Sequence, residues 1–80
     1  MSSKDERTRL ENSTYNILIA LGKEADFLYS TADTYVQDAK RDNRSELVEL
    51  WEEIKRDKQK HLHMLRGALE KEAKEMKLTQ

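Results

Sequence analysis

Proline is absent from this 80-residue chain and glycine occurs only at positions 22 and 67, so nearly every strong interrupter of a helix is missing. Apolar residues recur with helical spacing in two long runs. The first comprises Leu10, Ile17, Leu18, Leu21, Ala25, Leu28, Ala32, Tyr35, Val36 and Ala39. The second comprises Leu47, Leu50, Trp51, Ile54, Leu62, Leu65, Leu69, Ala73 and Met76, with His61 on the same stripe. Period-two alternation never persists, which argues against strands. Between the runs, Arg41-Asp42-Asn43-Arg44-Ser45 is the turn, with Asp42 or Asn43 placed to cap the following helix and Glu46 three residues beyond Asn43. Ser3 followed by Glu6 has the same signature at the amino end.

The expected fold is all-α: one domain, 1–80, forming a long antiparallel two-helix hairpin with a helix over about 4–41, a turn at about 42–44 and a helix over about 45–77. Gly22 either kinks or splits the first helix, or together with Gly67 lets two backbones approach closely. Apolar residues occupy every side of the helix from Ile17 to Leu21, Ile19 included, which implies burial on more than one face. A lone hairpin leaves half of each stripe in water, so two hairpins are expected to dock into a four-helix bundle as a homodimer or higher homo-oligomer.

Composition limits the function. There is no cysteine, hence neither disulfide nor thiolate metal site. Charged residues make up 39% of the chain but the net charge is only -1, because both signs are interspersed. Every basic cluster has acidic neighbours, unlike the concentrated positive face that displaces counterions from nucleic acid. The longest apolar run, Ile17 to Leu21, is too short to span a bilayer, and no signal peptide is recognised, so the default compartment is the cytoplasm. No catalytic nucleophile, glycine-rich phosphate loop or cooperating acid–base pair is visible. Trp51, Tyr15, Tyr29 and Tyr35 read as packing residues rather than a redox or cofactor set.

Three polar residues interrupt the apolar stripes: Glu24, Lys58 and His61. A charge on a covered face must be paired, neutralised or coordinated. A hairpin closing at Asn43 brings Glu24 and His61 to one height, with Lys58 a turn away, as a buried polar layer. Asp57 stands four residues before His61, so Glu24, Asp57 and His61 form the alternative metal-ligand set, for iron, manganese or zinc. His63 is rotated about 200° from His61 and is expected to face solvent.

At these positions the stretches Glu24 to Tyr29 (EADFLY) and Ile54 to Leu65 (IKRDKQKHLHML) resemble one helical hairpin of the ferritin-like, rubrerythrin-like superfamily, over roughly residues 14–70. The resemblance implies a glutamate on one helix, Glu-x-x-His on the next, and two hairpins around two metal ions. Carried over, Glu24 takes the place of the first carboxylate and His61 that of the histidine. Lys58 stands where the motif has its metal-bridging glutamate. An ammonium group repels metal ions, so the expectation is a structural or interaction protein without resident cofactor, in which Lys58 and Glu24 form a salt bridge in the former metal position. The alternative expectation is a metal-binding oxidoreductase or metal-handling protein, and a third is an adaptor whose apolar face meets a larger protein partner.

Overall fold

A computed structural model describes residues 10–75, and over that span the chain is a helical hairpin. Its elements are α1 (Asn12–Asp26), a π-helical turn (Phe27–Thr31), α2 (Ala32–Arg41) and α3 (Ser45–Lys74). The first three form one arm and α3 the other, along which both α1 and α2 pack. The molecule measures 54 × 25 × 14 Å, so it is a single layer of two helices side by side.

Among the described residues the first arm's helix begins at Asn12. Leu10 and Glu11 precede the helix, and Glu11, with an extended backbone, stands at its start without a side-chain cap. The proposed Ser3–Glu6 cap, the expected helical residues 4–9 and Met76 lie outside the described residues, and α3 ends at Lys74, before the expected 77. Gly22 does not interrupt α1. The irregularity falls instead at Phe27–Thr31, where the Ala32 N–H bonds to the Phe27 carbonyl five residues back. This segment contains aromatic, hydroxyl-bearing and β-branched residues, all weaker helix formers than the residues of α3. Ser30 Oγ donates to Asp26 Oδ1 at 3.3 Å across the turn. One extra residue in a helical turn delays the rotation by about 100°, so the inward faces of α1 and α2 are set independently.

The turn between the arms is built on Asn43, whose φ of 59° is the one positive value at a non-glycine residue among those described. The Arg44 N–H reaches the Ala39 carbonyl at 2.9 Å and the Asn43 N–H the Lys40 carbonyl at 3.1 Å. This is a Schellman closure of α2 with Asn43 in the left-handed position that asparagine tolerates well. Asn43 therefore ends the first arm and does not cap the second. Arg44 precedes α3 without a side-chain cap, and its Nε pairs with Glu46 Oε2 at 2.7 Å. That pair, strengthened by hydrogen bonding, holds the Glu46 carboxyl below its ordinary value.

Among the described residues Ala32, Val36 and Ala39 are the buried apolar ones, all in α2. The remaining stripe residues Ile17, Leu18, Leu21, Ala25, Leu28, Leu47, Trp51, Ile54, Leu62, Leu65 and Leu69 are half-buried, while Tyr35, Leu50 and Ala73 are exposed. Tyr35 nevertheless packs its ring at 4.8 Å from Trp51 and edge-on to Phe27 at 6.0 Å. These spacings suit aromatic attraction beyond simple area burial. Tyr15 and Tyr29 take no part in that group; Tyr29 is 85% exposed. A Cβ added at Gly22 or Gly67 would meet nothing within 4 Å, so neither glycine accommodates a close backbone approach inside the hairpin.

The Asn43→Val variant should lose about 1–2 kcal/mol of stability in urea unfolding, the cost of a β-branched residue in the left-handed region, whereas Asn43→Gly should stay within a few tenths. Equal losses in the two variants would place the turn's requirement elsewhere.

Candidate functional site

The centre of the hairpin holds the three residues that interrupt the stripes. Glu24 sits in α1, three residues before the π-helical turn, and faces α3. Its Oε2 accepts from Lys58 Nζ at 3.2 Å and its Oε1 from His61 Nδ1 at 3.2 Å. An ionised carboxylate only accepts, so Nδ1 is the donor in this contact and the Nε2 nitrogen points away from it. The Glu24 side chain is 18% exposed, Lys58 29% and His61 55%. Lys58 Nζ also stands 5.3 Å from the centroid of the Phe27 ring, within reach of a cation–π attraction. The π-helical turn begins at Phe27, so the irregular segment supplies the ring on which the lysine rests.

Two opposing effects set the Glu24 carboxyl. Partial burial raises its pKa; the hydrogen bonds from Lys58 and then His61, together with their charges, lower it and prevail, holding the group below 4.5. Each α3 residue contributes through one turn: Lys58 and His61 are three apart and therefore neighbours on one face. Asp57 is exposed and does not join Glu24 and His61, and among the described residues no three His, Cys, Asp or Glu side chains converge to hold a metal ion. The alternative ligand set Glu24, Asp57 and His61 is thus not assembled within one chain. Lys58 occupies the open side of Glu24 in its place. His63 is exposed, as its rotation from His61 requires.

Two further crosslinks flank this layer. Thr14 Oγ1 donates to Glu72 Oε1 at 2.6 Å near the open end, and Thr14 is completely buried. Towards the turn, Lys55 Nζ meets Asp33 Oδ1 at 2.9 Å, and this hydrogen bond raises the lysine pKa. Thr14 escaped the apolar reading because of its hydroxyl, although it lies three and four residues before Ile17 and Leu18 on the same face. Beside the central layer runs an open groove of about 380 Å³ lined by Ala20, Glu24, His61, Met64, Leu65 and Ala68.

No family model, curated protein or solved structure matches the chain. Among the described residues no helix is long and apolar enough to cross a membrane.

Replacing Thr14 with valine should cost about 1.5–3 kcal/mol, because a hydrogen bond to a charged acceptor is lost and Glu72 is left against an apolar surface. A thermal midpoint unchanged from wild type would show that the bond contributes nothing. The pH response follows from Glu24. Its folded pKa lies below 4.5, so its pairing stabilises the hairpin above the unfolded value and that stability drains away as pH falls through the folded one. Unfolding followed along an acid series should show a shallower loss below pH 4.5 in Glu24→Gln than in wild type; superimposable acid limbs would assign the acid sensitivity to other carboxylates.

Proposed function

We propose that this protein is a structural or interaction module: a helical hairpin that pairs with a second copy into a four-helix bundle, resembling a ferritin-like half-bundle in which a salt-bridged polar layer stands in place of the metal centre. One observation carries the reading: both oxygens of Glu24 are already engaged, one by Lys58 and one by His61. A carboxylate held by an ammonium group is poorly disposed to bridge metal ions, and the ammonium repels them.

The need for a second copy rests on burial. Among the described residues three small or medium apolar side chains are fully covered, while Tyr15, Ile19, Tyr29, Tyr35, Leu50 and Met64 are each at least 40% exposed. A domain of this length rarely reaches useful stability on such a core without disulfide, metal or partner.

A second reading, a metal-handling or oxidoreductase protein, draws on the contact between Glu24 and His61, which are two of the residue types that bind iron, manganese or zinc. It requires a further carboxylate such as Asp57 to reach the pair, or a second chain to supply one.

Metal analysis and light scattering on one untagged, chelator-free sample separate the two. The interaction reading expects a metal-free particle of twice 9.5 kDa, and expects Lys58→Met to keep that dimer folded. Stoichiometric iron, manganese or zinc, lost on His61→Ala while the dimer persists, would falsify it.

A further inference from the structure

Along α3, residues 57, 64 and 71 are seven apart and lie in a nearly straight row, drifting only about 20° per step. The row reads acid, apolar, base: Asp57, Met64, Lys71. Met64 forms part of the wall of the groove beside the Glu24 layer and is 64% exposed. Asp57 and Lys71 are both exposed, and neither makes an ion pair among the described residues.

Such a row is complementary to itself when reversed. If a second α3 lies antiparallel with the two-fold axis at Met64, each Asp57 faces the other copy's Lys71, and the two methionines meet on the axis. Seven residues of helix separate each ion pair from the axis, about 10 Å. A two-fold contact makes every such pair twice, which is the form self-association takes in most homodimers. Met64 is unbranched and adaptable, and the small Ala20 and Ala68 leave room in the groove for it.

We infer that the groove face of the hairpin is the self-association surface, docked by a second copy in antiparallel register with Met64 at the two-fold axis and Asp57 paired to the partner's Lys71. The inference rests on the dimer proposed above and specifies its face. The polar layer of Glu24 and His61 borders the groove, so the two layers approach one another across the contact.

Charge reversal tests the register by sedimentation at low ionic strength. Asp57→Lys and Lys71→Glu should each raise the dimer dissociation constant about tenfold, since each creates two like-charge contacts. The double variant, Asp57→Lys with Lys71→Glu, should return it to near the wild-type value, a recovery that no folding defect can mimic. Met64→Lys should weaken the dimer as well. A wild-type dimer indifferent to all three single changes, or a double variant as weak as the single ones, overturns this face and register while leaving self-association intact. A wild type that stays monomeric at every concentration overturns the dimer and this inference together.

Discussion

Two helices side by side share one seam, and every other feature of this molecule is a response to that geometry. A seam one layer thick covers each apolar stripe from one direction only, so side chains such as Leu18, Leu62 and Leu69 remain half in water. Among the described apolar residues Ala32, Val36 and Ala39, small or medium side chains of α2, are fully covered. Hydrophobic burial of this extent favours a hairpin but discriminates weakly between registers, because sliding one helix by a turn substitutes one aliphatic contact for another. Polar crosslinks supply the discrimination. Thr14 with Glu72, Glu24 with Lys58 and His61, and Asp33 with Lys55 are spread along the seam, and a slipped register would strand all of them together.

The central crosslink differs from the other two in its coverage. The Asp33 carboxylate is 81% exposed, so solvent and salt screen its pairing with Lys55 and leave it little energy. Glu24 is 18% exposed and receives two donors, and its lowered pKa records that these outweigh the cost of its partial burial. The Phe27 ring beneath Lys58 removes more water from the same spot. Sequence, local helix geometry and electrostatics thus converge on one layer, at the height where the groove opens to one side.

Much of this is legible in the amino-acid sequence alone. The scarcity of helix interrupters and the two spaced apolar runs specify a hairpin about Asn43, and counting from that turn places Glu24 level with His61. What escaped notice has physical causes. Thr14 has a hydroxyl, and an apolar template passes over it even when its methyl and position suit the seam. The π-helical turn at Phe27–Thr31 contains neither glycine nor proline, so it has no punctuation; its origin is a cluster of weak helix formers. Gly22, which has punctuation, lies within a regular stretch of α1 because the surrounding residues propagate the helix through it. Asn43 lies in the turn, but neither it nor Asp42 caps α3: the left-handed backbone of Asn43 closes α2, a distinction that depends on φ and not on residue type. Asp57 has suitable spacing from His61, yet spacing on one helix says nothing of whether a carboxylate on the other arm will meet it.

The lysine at position 58 also changes what the folded state depends upon. In a layer held by carboxylates alone, the counter-charge is a dissociable ion, and the fraction of folded molecules tracks that ion's activity in the surroundings. An ammonium group built into the chain arrives with every copy at synthesis, at a fixed ratio of one to one. The Lys58 ammonium therefore meets the Glu24 carboxylate wherever the two arms close, at a ratio fixed by the sequence itself.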